Sequence, residues 1–203
     1  ADRGYRVLHV DFDLHHGNGT QEILYAEPRV VHVDLHQDPN TIYPGTGFPW
    51  QKGEGEAEGT KINVPLPPGS GDDVFAHAVE ALLEILDVMG WRFDYIVFSA
   101  GFDAYDGDGL GMLHATEATY SRIAGRLLEA VRPRGVIAVL EGGYSVGLER
   151  GLPAFTRRLM GERVDDTPVT RSSEAVWRAY GRSVSELCRE LGIEAHRCPV
   201  PRR

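Results

Sequence analysis

At 203 residues, 42% of them hydrophobic, the chain is long enough to bury a core and is most simply one globular domain. A formal charge of −9 argues against a phosphate-binding surface, so no direct nucleic-acid partner is expected. No apolar run approaches the ~20 residues of a membrane span, and no signal peptide opens the chain. Two cysteines, Cys188 and Cys198, are too few for a disulfide framework; read as reduced thiols, they suit a soluble cytoplasmic protein without a membrane partner.

The first short run rich in β-branched residues, 6–10, reads as a strand and leads through Asp11-Phe12-Asp13-Leu14-His15-His16-Gly17-Asn18-Gly19 into a helix. A second strand at 29–34 precedes a long loop, 36–60, with Tyr43-Pro44-Gly45-Thr46-Gly47 and an acidic Gly53-Glu54-Gly55-Glu56 segment. After a shorter strand at 61–64, Phe75, Ala78, Val79, Leu82, Leu86 and Met89 follow helical spacing over 70–90. There Ser70 and Asp73 resemble a capping box, and Gly90 suits the stop. A strand at 94–99 opens a second functional loop, 101–115, and a helix over 116–131 ends before Pro133 and Gly135. A strand at 136–140, a helix starting just after Tyr144 and an amphipathic helix over 173–191 complete the chain, with 196–203 as a frayed tail. Apolar strands interleaved with helices are the pattern of an α/β domain with a parallel sheet.

Three polar clusters each follow a strand, and in open α/β sheets such loops meet at the carboxyl ends of the strands. In the first, Asp11, Asp13 and His15 are spaced two apart on extended chain, so their side chains project to one side. A carboxylate and an imidazole at that spacing suit half of a zinc site, although a lone Asp-x-His also reads as a strand-end acid with loop histidines. The second cluster, Ser99-Ala100-Gly101-Phe102-Asp103-Ala104-Tyr105-Asp106-Gly107-Asp108, puts Asp103 just past a strand. There it either caps a turn or supplies a third ligand and leaves the fourth zinc position to water. In the third, Glu141-Gly142-Gly143-Tyr144, paired glycines let backbone approach a ligand and Tyr144 offers a phenol; a plain turn accounts for them equally. His16 reads as structural because its side chain points away from that of His15, and His36 as loop-stabilising. His9, His32 and His77 read as core or surface residues.

Together, the runs 11–20 and 36–47, the Gly-Phe-Asp of 101–103 and the Glu-Gly-Gly-Tyr of 141–144 resemble the histone deacetylase superfamily, which includes the bacterial acetylpolyamine amidohydrolases. The resemblance covers about residues 5–160 of a single 1–203 domain, with 161–203 as a C-terminal helical segment and tail. It implies a three-layer, arginase/deacetylase-like α/β fold, a mainly parallel sheet with helices on both faces, incomplete at its N-terminus. It implies Asp13, His15 and Asp103 as the ligands of one zinc ion, and Tyr144 as the tyrosine that hydrogen-bonds the substrate carbonyl and the oxyanion. Asp11 and Asn18 match the partners of catalytic histidines. The family's first group commonly has Asp in place of Asn18, so the chain looks more like the second group and its bacterial relatives. Asp11, Asp13, His15, Asp34 and Leu35 match a structural cation site, usually potassium, bound largely through carbonyl oxygens; Asp34 stands where Ser is frequent. Tyr43, Leu110, Gly142 and Gly143 match the wall of a narrow acyl-lysine tunnel.

The implied function is zinc-dependent removal of acetyl or related acyl groups from lysine side chains or polyamines, with acetylated protein or acetylpolyamine as the substrate. Relatives carry a Pro-Gly-His-His type motif upstream, and nothing in residues 1–6 resembles it. The chain is therefore read as the C-terminal portion of a longer protein whose N-terminal portion completes the same domain; alone it should bind metal and turn over poorly. Two other readings stand beside this one. The first is a non-catalytic zinc module that recognises an acylated partner. The second is a dinuclear-manganese ureohydrolase, which needs bridging carboxylates where Asp103 is instead followed by Ala104 and Tyr105. An oligomer is compatible with the sequence.

Overall fold

The structure, a computed structural model, describes residues 3–201. Strands β1 (Val7–Asp11), β2 (Val30–Gln37), β3 (Lys61–Leu66), β4 (Tyr95–Ala100) and β5 (Gly135–Leu140) form one parallel sheet in the order β3-β2-β1-β4-β5. The helices are α1 (Asn18–Leu24), α2 (Asp72–Val88), α3 (Glu117–Val131), α4 (Leu152–Leu159) and α5 (Glu174–Glu190). A π-helical turn, Gly147–Gly151, leads into α4.

Register explains how the sheet is both core and site. Val10 pairs with Val33 and Phe98, and Val33 with Ile62, so the side chains of alternate residues line up across strands. One face carries Leu8, Val10, Val31, Val33, Ile62, Ile96 and Phe98. These share a buried cluster with Phe75 and Leu82 of α2, Ile123 and Leu127 of α3, Phe155 of α4 and Tyr180 and Leu187 of α5. Each large apolar side chain fully buried there contributes about 1.5–3 kcal/mol. The intervening residues give the opposite face a different chemistry. Lys61, His32 and His9 lie in one row, and Asn63, Asp34, Asp11 and Ser99 in the next, all buried. Side chains and carbonyls of α1 and of the loop after β2 cover this polar face. Asn63 Nδ2 donates to Gln21 Oε1 and to the Gln51 carbonyl, and Lys61 Nζ donates to the Val30 carbonyl at 2.9 Å and to Thr60 Oγ1 at 2.6 Å.

The elements expected from periodicity are present, with shifts of a few residues at their ends. The helix after residue 70 is capped differently from the expectation. Gly71 is its N-cap; Ser70 Oγ donates to the Pro67 carbonyl, and Asp73 turns outward to accept from Ser172 and from Trp177 Nε1. Tertiary partners have taken the side chains that a local box would use. The reduced-thiol expectation is also corrected, since Cys188 and Cys198 are joined in a disulfide. A 3-10 turn at Ala195–Arg197 folds the chain back over the end of α5 and brings the two sulfurs together. The tail is therefore tied down through Cys198, with Val200 packed on the core, and the cytoplasmic argument from free thiols loses its basis. Residues 202 and 203 of that tail lie outside the described residues, as do Ala1 and Asp2. Among the described residues no helix is long and apolar enough to cross a membrane.

At the sheet edge, β5 pairs only with β4, and its Val136, Ile137, Val139 and Leu140 are exposed although neighbouring residues in a strand point to opposite faces. A strand that leaves its outer backbone edge and both apolar faces open templates association. The chain on its own is expected to show concentration-dependent association by light scattering. Ile137→Lys with Val139→Glu should shift it towards monomer without changing the circular dichroism spectrum; an unchanged mass distribution would count against this.

Candidate metal centre

The site is assembled where the carboxyl ends of β1, β4 and β5 meet. Asp11 closes β1 between Asp34 of β2 and Ser99 of β4, and just beyond these ends the chain delivers Asp13, His15 and Asp103 to one point. His15 Nδ1 lies 3.2 Å from Asp13 Oδ1 and 3.3 Å from Asp103 Oδ2, and one donor atom of each residue falls within 4.8 Å of the other two. Each ligand is held from behind. Asp13 Oδ1 accepts from the His15 N–H at 2.8 Å, Asp13 Oδ2 from the Gly142 N–H at 2.8 Å, and Asp103 Oδ1 from the Leu14 N–H at 2.9 Å.

The residues fit zinc. Asp103 Oδ2 is buried and reaches no well-aligned donor, which leaves a lone pair for a metal. Glycine backs the same atoms: a Cβ on Gly142 would come within 2.3 Å of Asp103 Oδ2 and 2.4 Å of Asp13 Oδ2, and one on Gly101 within 2.3 Å of Asp13 Oδ2. Two carboxylates and one imidazole make a three-ligand set of the kind that leaves a fourth zinc position open.

The Asp103 and Asp13 carboxylates beside His15 push its pKa up to about 9, against a smaller opposing effect of burial. A proton on His15 therefore competes with a cation. This raised pKa stabilises the metal-free fold below pH ~6.5, and the contribution fades as pH rises through ~9. Zinc affinity should rise about tenfold per pH unit up to ~9 and flatten above it, with about one proton released per zinc at pH 7. Calorimetric titration in two buffers of different ionisation enthalpy checks this, and zinc uptake without proton release would contradict it.

A cleft of about 630 Å³ opens over the three ligands, lined among others by Asn18, Tyr43, Leu140, Gly142 and Tyr144. Tyr144 and Tyr43 are largely exposed at its mouth. Asp108 Oδ2 accepts from the Tyr144 and Ser145 N–H groups and from Ser145 Oγ, fixing the backbone from which the phenol projects. Leu110 and Gly143 do not line the cleft, and Leu110 stands exposed on the neighbouring loop. Behind the ligands, Asp34 and Leu35 are buried in β2. Burial first, and the Asp34 charge second, hold the Asp11 carboxyl well above the usual range. Asp34 is held low despite its burial, because His36 donates to it at 2.6 Å. Asp11 Oδ1 accepts from the Asp13 N–H, and among the described residues no histidine bonds to the Asp11 carboxylate.

Sequence reasoning singles out Gly142 as a close-approach glycine but not Gly101 or the Asp108 latch. The signal for Gly101 was present, since it directly follows a site strand. Nothing in the sequence pairs Asp108 with a turn more than 30 residues away.

A family model described as "Histone deacetylase domain" matches residues 1–159. The chain belongs to the histone deacetylase family. Among curated relatives of this family, the probable deacetylase of Archaeoglobus fulgidus is 39% identical over 73% of this chain and 41% of its own length. The acetylpolyamine amidohydrolase of Burkholderia pseudomallei is 39% identical over 75% of this chain and 48% of its own length. The solved structure of the histone deacetylase Clr3 superposes with a TM-score of 0.82 at 30% identity, covering 93% of this chain and 32% of that one. The chain thus spans less than half the length of these relatives. Its parallel sheet and flanking helices are the arginase/deacetylase-like α/β fold.

Proposed function

We propose that this deacetylase-family chain carries a zinc-dependent hydrolytic site for acyl-lysine or acetylpolyamine amides. The observation that carries this reading is the convergence of Asp13, His15 and Asp103 under a cleft whose mouth holds Tyr144. When bound, zinc polarises the amide carbonyl and lowers the pKa of a water. Tyr144 donates its phenol hydrogen to the carbonyl oxygen as negative charge develops there. Asp108 keeps the Tyr144 backbone in place, and Asp13 and Asp103 are pre-oriented by backbone donors, so little reorganisation accompanies reaction. Asp11 and Asn18 hold and orient acid–base histidines. Tyr43 and Gly142 shape the passage for the acyl-bearing stem, with Gly143 and Leu110 as wall positions beyond the observed cleft. Glu54, which lines a neighbouring cleft, and the adjacent Glu56 and Glu58 suit a cationic polyamine, while an uncharged acyl-lysine stem suits the tyrosine-walled mouth. We further assign a potassium ion to the oxygens of Asp11, Asp13, His15, Asp34 and Leu35. The Asp11 carboxyl, held up by burial first and the Asp34 charge second, and the buried Asp34 beside it support this. Residues 161–203 complete the same domain, since α5 contributes to the one core.

A non-catalytic acyl-lysine module is the second reading, since the same cleft over Asp13, His15 and Asp103 would hold an acylated lysine without turnover. Hydrolysis of a fluorogenic acetyl-lysine peptide and of acetylspermidine by zinc-loaded protein separates the two. In any form that turns over, Tyr144→Phe should lower kcat about 10²–10³-fold while zinc content stays the same. A full-length protein that holds zinc, binds the peptide and cleaves neither substrate would sink the enzyme reading.

A further inference from the structure

A second cluster of metal-ligating side chains lies on the polar face of the sheet, behind the proposed zinc site. His16, His32 and Asp34 are all buried, and one donor atom of each falls within 4.8 Å of the others. His32 Nε2 is 3.7 Å and His16 Nε2 4.0 Å from Asp34 Oδ2, beyond hydrogen-bond reach, and among the described residues neither nitrogen has a well-aligned hydrogen-bond partner, the Gln21 side chain lying near His16. Two imidazole nitrogens and a carboxylate oxygen therefore point at a common space without bonding one another.

Hydrogen-bond directions decide what that space wants. Ser99 Oγ donates to Glu141 Oε1 at 3.2 Å, so the Ser99 oxygen accepts from His9 Nε2 at 3.3 Å. His9 Nδ1 is then an acceptor, and the 2.8 Å contact between His9 Nδ1 and His32 Nδ1 is filled by the His32 Nδ1 proton. His32 Nε2 is left as a bare lone pair facing a carboxylate. Two acceptors opposed in a buried space repel unless something positive lies between them. The His16 ring is held in place by its other nitrogen, Nδ1, which meets Thr46 Oγ1 at 2.8 Å; with Nδ1 donating to that hydroxyl, Nε2 is free to bind an ion. Outer partners that fix the tautomer and ring orientation in this way are the usual support of metal-ligating histidines. Asp34 is held too: Oδ1 accepts from His36, and Oδ2 from the Gly17 N–H at 2.8 Å.

We propose that His16, His32 and Asp34 form a second, structural metal site for a divalent transition ion such as zinc. Nitrogen donors select such an ion over potassium, which prefers an all-oxygen cage. At a metal–ligand distance of about 2.0–2.2 Å, an ion spans the 3.7 Å and 4.0 Å separations of the two imidazole nitrogens from Asp34 Oδ2. The ion can reach the site past His16, which borders both the main cleft and a second cleft of about 420 Å³ lined by Asn18, Gln21 and Glu22. The site ties β2 to the loop after β1 that delivers His15, and it does not depend on the deacetylase reading.

The test uses a background in which the first site is disabled, Asp13→Asn with Asp103→Asn. After loading with zinc and exhaustive dialysis, this protein should retain about one equivalent, show a zinc-dependent rise in Tm, and give visible d–d absorption with cobalt(II). Adding His32→Gln should abolish all three signals. If His32→Gln fails to fold, His16→Gln, whose amide can still bond Thr46, gives the same reading. A folded background protein that retains no zinc overturns the proposal, as does full retention after both histidine changes.

Discussion

Asp103→Ala is expected to lower zinc affinity by well over ~100-fold, the scale already reached when only the outer partners of a ligand are lost. Of the three converging ligands, Asp103 is the one whose second oxygen has no well-aligned donor, so its removal takes away a ligand without freeing another group to replace it. The loss extends to the first turn of the site, because Asp103 Oδ1 is also what the Leu14 N–H donates to, one residue before His15. Hydrolysis, in any form of the protein that shows it, should fall with the metal and return only in part at saturating zinc. Asp103→Asn keeps the bond to Leu14 and removes only the charge, so it separates the two contributions. It should bind zinc more weakly than the parent and more tightly than Asp103→Ala, as read by competition with a chromophoric chelator. Parent-like affinity in Asp103→Ala would remove Asp103 from the ligand set.

The arrangement behind this prediction was legible in the sequence to an uneven degree. Spacing of two along extended chain places Asp11, Asp13 and His15 together, and three polar clusters that each follow a strand must meet at one end of a parallel sheet. Both inferences rest on local geometry that a sequence expresses directly. The buried polar face was not legible in the same way. His9 and His32 sit in runs that look uniformly strand-like, and only the register His9 to His32 and Asp11 to Asp34 shows that they share a face with Lys61 and Asn63. Register depends on turns and packing far along the chain. The same holds for Cys188 and Cys198, whose separation of ten residues says nothing until the turn at Ala195–Arg197 is known. Leu110 was placed by resemblance on the tunnel wall, yet its loop holds it off the cleft, because the loop answers to anchors such as Asp106 with His114 and Asp108 with Ser145.

A different buried anchor carries the largest stability effect. Asp72, at the start of α2, is buried and accepts five hydrogen bonds: Oδ1 from the Thr116 N–H and Thr119 Oγ1, and Oδ2 from Thr116 Oγ1, the Val169 N–H and the Thr170 N–H. It thereby joins three pieces of chain, the first turns of α2 and α3 and the strap that leads to α5. Asp72→Ala strands these donors away from water and removes the charge they were arranged around, a loss of about 3–5 kcal/mol. A domain of this kind has roughly 5–15 kcal/mol in all, so the variant should unfold at a urea midpoint lower by about 1–3 M. Asp72→Asn retains one acceptor oxygen and should lose about half as much. The break should also be local at first, with the 162–172 strap becoming protease-sensitive well before the sheet opens. Because Thr116 ends the loop that begins at Asp103, metal binding by the folded fraction is a strict control. If Asp72→Ala leaves the urea midpoint within 0.3 M of the parent, those donors find water and the strap is held by its apolar contacts instead.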